Sequence, residues 1–411
     1  MPASGHRRKP GVPIALPEPE ASFHLLEGLR HVALAVSGGS DSMALMRLAH
    51  AWAAGLANGP KLSVLTVDHG LRPNAAEEAR QVADWTKALG LHHQVLNWAG
   101  PKPSTGIQAR ARKARYDLMA EWCKANAGEV LLTAHTRDDQ AETVLMRLWR
   151  TSSPASLAGI PLLGQWRGLP LLRPLLGMER QRLRQLLVAT GQGWIDDPSN
   201  DDPRFERVRM RHQLVELAPS GVTAERLVRL GHACAGADAL LERCAGQWIG
   251  LWLKEDDAGI CFAPLAELET LPSALQQRIL GRIVCHYGGG RLKPEPAELL
   301  RLCSWLCSGG PPRRTLAGAI AGRRKTSFWV TREAVRIDAE PLIIRDGTRA
   351  IWDGRFAIEA PEGSTITPAG DRKPSLNQAV PVYARRAYPV VFVPESAVGR
   401  VNVRFLRLSR P

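Results

Sequence analysis

Four features are missing from this 411-residue sequence. No apolar stretch approaches the length needed to cross a bilayer, and the first twenty-three residues mix Pro, Arg and Glu without an apolar signal core. Secretion and membrane insertion are therefore not expected. The cysteines, Cys123, Cys234, Cys244, Cys261, Cys285, Cys303 and Cys307, are odd in number, scattered, and contain no Cys-x-x-Cys pair. That pattern argues against a disulfide framework or a zinc ribbon and fits a reducing, cytoplasmic location. There is no Gly-x-x-x-x-Gly-Lys-[Ser/Thr] run, so a phosphate site, if present, is not of the Walker type. No internal repeat of solenoid period occurs either.

What is present is ordinary globular composition with a strong positive bias. Hydrophobic residues make up 45% and charged residues 23%, enough to bury a core, and the length favours two or three domains. The formal charge of +14 favours a polyanionic partner, nucleic acid first, although an arginine-rich proteome would also raise it.

Between His31 and Arg150, apolar runs at Val32–Val36, Leu62–Val67, His92–Trp98 and Val130–Thr133 alternate with helix-like segments at intervals of about thirty residues. Val32–Val36 and Val130–Thr133 are apolar without alternation, the pattern of strands buried on both faces of a parallel sheet. The expectation is an α/β, doubly wound, mostly parallel domain over residues 23–220, after a flexible segment over 1–22. Apolar residues at helical spacing (Leu227, Leu230, Leu240, Leu241; Leu275, Ile279, Ile283) predict a helical domain over 221–320. Aromatic and β-branched runs broken by Gly and Pro predict a β-rich region over 321–411.

The first strand runs straight into Ser37-Gly38-Gly39-Ser40-Asp41-Ser42 and then a helix-like Met43–Ala54. A glycine turn between a strand and a helix presents free backbone N–H groups and the positive helix end, a cradle for phosphates. Asp41 is suited to Mg²⁺ bridging phosphate oxygens; the alternative is a plain helix cap. The second strand ends in Asp68-His69-Gly70-Leu71-Arg72, where His69 or Arg72 could meet adenine or phosphate. Gln108–Tyr116 sets Arg112 and Arg115 one helical turn apart beside Tyr116, a candidate phosphate-facing or simply solvated face. Finally, Leu131–Thr143 runs from a strand into a helix that carries Asp139 and Glu142 on one face, with His135 just before it. Two acids there could grip an ammonium, or merely favour the helix's positive end.

Together with Trp194-Ile195-Asp196-Asp197-Pro198-Ser199-Asn200, these blocks resemble the tRNA(Ile)-lysidine synthetase family of the PP-loop (N-type ATP pyrophosphatase) enzymes, closely over about residues 31–215. The resemblance implies a PP-loop ATP-binding catalytic domain over 23–220 and a tRNA-binding role for 221–320. It implies that Ser37, Gly38, Gly39, Ser40, Asp41 and Ser42 bind ATP, with His69 nearby, and that Asp41 holds Mg²⁺. It further implies that Asp139 and Glu142 take L-lysine, and that Arg112 sits near the phosphates and the reacting base. Leu316–Ile337 and Ala350–Ile358 are similar to the tails of longer members. Three positions depart from the family pattern: Gln108 in place of Glu, Thr151 in place of Gly, and Val208 in place of Asn.

The implied reaction transfers AMP to the carbonyl oxygen on carbon 2 of the wobble cytidine of tRNA(Ile) with a CAU anticodon. The ε-amine of lysine then displaces AMP, with Asp139, Glu142 or His135 accepting a proton. Candidate tRNA contacts are Arg115, Arg204, Arg207, Arg209, Arg211, Arg313 and Arg314, each equally readable as a solvated charge. A homodimer is left open. The rival readings are a PP-loop tRNA cytidine thiolation enzyme and a non-catalytic tRNA-binding protein on the same fold.

Overall fold

The computed structural model describes residues 20–70, 75–100, 106–150, 153–197, 202–338, 340–345, 349–372, 374, 380–395, 397 and 400–408. The segment expected over 1–22 lies outside them up to residue 19, as do Arg72, Thr151 and Pro198–Asn200. The chain forms two compact units, Met1–Gly236 and Ala237–Pro411.

In the first unit, strands β1 (His31–Ala35), β2 (Lys61–Asp68), β3 (His92–Asn97), β4 (Val130–Leu132), β5 (Leu163–Trp166) and β6 (Leu169–Leu172) form one sheet in the order β3-β2-β1-β4-β6-β5. All neighbours are parallel except β5, which pairs antiparallel with β6. Helices α1 (Glu20–Phe23), α2 (Ser40–Ala54), α3 (Ala75–Ala88), α4 (Ile107–Ala125), α5 (Arg137–Leu148), α6 (Pro154–Leu157), α7 (Arg180–Ala189) and α8 (Glu206–Leu217) accompany it, and α9 (Ala224–Trp252) begins here. The doubly wound, mostly parallel sheet expected from the unalternating strands is thus what forms.

Period-two geometry divides the core. Val32, Leu34, Leu62, Val64, Val130 and Leu132 enter the cluster with Met43, Leu45 and Leu183. Ala33, Leu65 and Leu131 enter the opposite one with Tyr116 and Met119. The chain runs outward from β1 through β2 to β3 and then returns to β4 on the other side of β1. That reversal opens a crevice at the carboxyl ends of β1 and β4, where ligands bind in such sheets.

In the second unit, β7 (Lys254–Asp256), β8 (Ile260–Pro264), β9 (Arg313–Leu316), β10 (Ala319–Arg323) and β11 (Ser327–Arg332) form an antiparallel sheet in the order β7-β8-β11-β10-β9. It is accompanied by α10 (Leu265–Glu269), α11 (Ser273–Tyr287) and α12 (Pro296–Ser308). The chain continues through β12 (Leu342–Ile343), β13 (Arg349–Trp352), β14 (Phe356–Glu359), β15 (Thr365–Pro368), α13 (Val382–Arg386), β16 (Pro389–Phe392) and β17 (Asn402–Phe405). These strands make two small sheets, β12-β15-β16 and β13-β14-β17. The expected helical and β-rich stretches share one core: Ile283 and Leu306 cluster with Val330, Phe356 and Ile366. The physical reason is β8, which lies among helices in the sequence yet pairs with β11, Cys261 opposite Val330.

A buried ion group holds this unit together. Asp353 and Gly354 take positive φ (48° and 67°) in the tight turn between β13 and β14. There Asp353 Oδ2 accepts from Arg332 Nε and from Arg355 Nε, both at 2.8 Å. All three side chains are buried, and burial pulls the Arg355 pKa down to about 10 despite Asp353. Asp353→Ala should therefore cost about 3–5 kcal/mol, because it strands buried guanidinium charge. Urea unfolding followed by tryptophan fluorescence checks this, and a loss below about 1 kcal/mol would contradict it.

Candidate active site

At the end of β1, Ser37-Gly38-Gly39 turns the chain into α2, whose cap is Gly39. The helix starts at Ser40, earlier than the expected Met43, so Ser40, Asp41 and Ser42 form its first turn. Gly38 has φ +92°, and a Cβ there would lie 2.7 Å from Ile195 Cδ1 and 3.1 Å from Val82 Cγ2. Ser42 Oγ accepts from the Ser37 N–H (3.2 Å) and donates to the Gly39 carbonyl (2.9 Å), which closes the loop on itself. Ile195 N–H donates to the Gly38 carbonyl at 2.9 Å, so the Trp194–Asp197 segment backs the turn. Gly39 brings no side-chain cap, so the positive end of α2 opens onto the turn that follows β1.

Across the crevice, α5 begins at a Thr136–Asp139 capping box. Asp139 Oδ2 accepts from the Thr136 N–H (2.8 Å) and hydroxyl (3.0 Å). Its other oxygen faces Arg180 Nη2 (3.5 Å) and Arg207 Nη1 (3.4 Å). One oxygen of this acid thus serves the start of the helix, and the other is held by arginines. Glu142, one turn on and 1% exposed, accepts from Arg211 Nε at 3.0 Å and lies 3.9 Å from Arg180 Nη1, both through Oε1. Its Oε2 is buried without a hydrogen-bond partner.

Arg180 is the residue that sequence reasoning missed. Besides touching Asp139 and Glu142, its Nε donates to Asp41 Oδ2 at 2.9 Å, so one guanidinium spans the loop acid and both α5 acids. Its backbone N–H donates to Asp138 Oδ2 (2.8 Å), Arg137 N–H donates to the Met178 carbonyl (2.8 Å), and Arg137 pairs with Glu179. These bonds bolt the start of α7 to the start of α5. Arg184, one turn further, reaches Ser40 Oγ (3.4 Å). In the structure Arg180 is the first residue of α7, where the positive helix end disfavours a cation unless acids from elsewhere surround it.

The electrostatics follow from burial and these pairs. Burial raises the Asp41 pKa above the ordinary carboxylate range against the pull of Arg180. Burial and neighbouring Asp139 raise that of Glu142, with Arg211 and Arg180 opposing. For Asp139 burial also acts upward, but Arg180, the Thr136 N–H and Arg207 outweigh it and hold the carboxyl below its usual value. Burial, helped by Arg112, Arg173 and Arg207, lowers the His135 pKa to about 4 although Asp139 pulls the other way. His135 is therefore a neutral imidazole at physiological pH, with Nδ1 held 3.0 Å from Thr133 Oγ1.

The remaining sequence candidates are distributed as follows. Arg112 lies on the exposed face of α4 with its guanidinium 5.2 Å from the Tyr116 ring. Arg115 Nη2 sits 3.2 Å from His69 Nε2, so the middle of α4 meets the end of β2 here. Arg207 and Arg211 turn toward the acids, whereas Arg204 pairs with Asp202 and Arg209 braces the Pro203 and Arg204 carbonyls. In the second unit Arg313 stacks on Tyr383 (4.6 Å) and Arg314 on Trp305 (5.8 Å). Val208 is buried on α8 and Gln108 is exposed on α4.

Among the described residues no group of three or more His, Cys, Asp or Glu could hold a metal ion by itself. Mg²⁺ accompanied by phosphates needs only one or two carboxylates, and Asp41, in the first turn of α2 with its Oδ1 3.5 Å from the Ser40 hydroxyl, fits that requirement. The seven cysteines are free; Cys123 is buried, and its pKa is pushed up to about 11 by that burial.

Residues 18–218 match the PP-loop domain family. Several curated relatives are similar to this chain. The tRNA(Ile)-lysidine synthase of Rhodopseudomonas palustris is 52% identical over 51% of this chain and 61% of its own length. That of Bradyrhizobium sp. is 38% identical over 82% of this chain and 97% of its own length. That of Bradyrhizobium diazoefficiens is 46% identical over 75% and 91%, respectively.

Gly38→Ala provides the most direct probe of the loop. The added Cβ meets Ile195 in a backbone region that costs an alanine about 1–3 kcal/mol. Titration calorimetry should find nucleotide binding weakened at least about tenfold, the equivalent of about 1.4 kcal/mol. Retention of wild-type affinity would mean that the turn does not carry the nucleotide.

Proposed function

The chain belongs to the tRNA(Ile)-lysidine synthase family, and from that membership we propose that it ligates L-lysine to carbon 2 of the wobble cytidine of tRNA(Ile) with a CAU anticodon. The reaction consumes ATP, passes through an adenylated cytidine, and releases AMP and pyrophosphate. The observation that carries this reading is the position of the buried acid pair Asp139 and Glu142, one oxygen of which is unsatisfied, opposite a glycine turn at the switch point of a PP-loop sheet. A cytoplasmic location accords with a tRNA substrate, and no helix among the described residues is long and apolar enough to cross a membrane.

The N–H groups of the Ser37–Ser42 turn and the positive end of α2 receive the triphosphate. Mg²⁺ held by Asp41 would neutralise charge on the departing pyrophosphate. Arg112, exposed and close enough to His135 for its charge to lower that pKa, steadies the phosphoryl group of the adenylated base. The ε-ammonium of lysine donates to the unpaired Glu142 Oε2, while Asp139, kept ionised by its arginines, adds attraction. An ammonium is not a nucleophile, so it must lose a proton. Glu142, with its raised pKa, is the better acceptor of the two acids, and neutral His135 adds no repelling charge.

Because Arg207 and Arg211 are half-buried against the site acids, the tRNA phosphates fall to the exposed Arg115, Arg204 and Arg209 in the first unit and to the exposed Arg313 and Arg314 in the second. The competing sulfur-transfer reading lacks support: the relatives bear the lysidine synthase name, and no cysteine lies among the residues that build the site.

Incubation with ATP, Mg²⁺, tRNA(Ile) and labelled lysine or labelled sulfur, followed by digestion and mass analysis, tests the assignment; lysidine is expected and thiocytidine would overturn it. Asp41→Asn should abolish tRNA-dependent AMP formation. Glu142→Ala should raise the lysine KM by roughly 10- to 100-fold, the loss of about 1.5–3 kcal/mol from a charged hydrogen bond, with pyrophosphate release largely kept. An unchanged lysine requirement would exclude Glu142 from the amine site.

A further inference from the structure

Three carboxylates, Asp41, Asp139 and Glu142, face three guanidinium groups, Arg180, Arg207 and Arg211. The formal charges cancel, so an arriving ammonium meets a cluster with no net attraction. Within it the arginines differ. Arg207 touches Asp139 and Arg211 touches Glu142, each from α8. Arg180 alone among the three contacts both the acid assigned to the metal and the acids assigned to the amine. Its shortest side-chain bond, 2.9 Å, is to Asp41. Its backbone is pinned by Asp138, so exchange of partners falls to the side chain.

We propose that Arg180 is a positioning residue that acts as an internal counter-cation, occupying the lysine acids until the nucleotide arrives and thereby coupling ATP binding to lysine binding. Resting on the assignment of Asp41 to Mg²⁺·ATP and of Asp139 and Glu142 to lysine, it adds an order to their filling. When Asp41 takes the metal, Arg180 loses its strongest partner and gains a polyanion at the adjoining turn. The planar guanidinium suits phosphate oxygens as well as carboxylates. Its departure removes one positive charge from beside Asp139 and Glu142 and vacates the place it filled, so the ammonium replaces a cation that these acids have lost instead of adding one to a balanced cluster. By linkage, lysine strengthens nucleotide binding by the same factor.

The test is calorimetric titration of L-lysine into the full chain, without tRNA, in the absence and presence of Mg²⁺ and α,β-methylene-ATP, which does not cleave between the α- and β-phosphates. For the wild type, the analogue should tighten lysine binding by about tenfold, within the range usual for coupled sites. In Arg180→Gln, lysine binding without nucleotide should become tighter than in the wild type, and the analogue should change it less than about twofold. Arg180→Lys, a point charge that cannot span three carboxylates, should show intermediate coupling. Absence of coupling in the wild type overturns the proposal without any variant being made. So does weaker lysine binding by Arg180→Gln with coupling intact, the result expected of a merely structural arginine. Failure of the wild type to bind lysine under either condition would instead count against the proposed function.

Discussion

The architecture of the first unit turns on a single shared cation. Asp41 and Asp139 stand at the positive ends of two helices, where acids are favoured, and Glu142 follows one turn later. Arg180 stands at the positive end of a third helix, where a cation is disfavoured. Neither arrangement is stable alone: three clustered carboxylates, two buried and one partly buried, repel one another, and an arginine against a helix N-terminus gains nothing from the dipole. Brought together they offset each other, and removal of either side would leave charge buried without a partner.

Sheet topology makes this meeting possible. Because the chain returns from β3 to the far side of β1, the turn after β1 and the turn after β4 open side by side, and α2 and α5 point their amino ends into one crevice. The α5–α7 bolt made by Arg137, Asp138, Met178 and Glu179 then fixes where the Arg180 side chain starts. The segment around Ile195 packs against Gly38, and so a motif more than a hundred and fifty residues along the chain sets the shape of the glycine turn. The same closeness explains why Arg207 and Arg211 serve the acids rather than an outer surface. The second unit uses a comparable device for stability, with Asp353 joining Arg332 and Arg355 under its core.

Much of this was legible from residue order. Unbroken apolar strands, a Ser-Gly-Gly turn before a helix, and two acids three residues apart each follow from local rules of backbone and spacing, and each appears where those rules put it. Helix onset at Ser40 instead of Met43 was missed because apolar periodicity marks where a helix begins to bury residues and is silent on a polar first turn. The merging of the helical and β-rich stretches was missed for a related reason. Pairing of β8 with β11 joins positions about seventy residues apart, and nothing local in either strand names its partner.

The sequence by itself determined the class of fold, the glycine turn after β1 and the acids that flank it, because these depend on φ preferences, side-chain period and charge read along a few residues. Only the tertiary structure decided what those acids contact. Arg180 is 139 positions from Asp41, and no local signal distinguishes it from the other arginines of the chain. Which arginine a buried carboxylate meets depends on strand order and helix packing, and those arise from the burial of the whole domain rather than from the residues that meet.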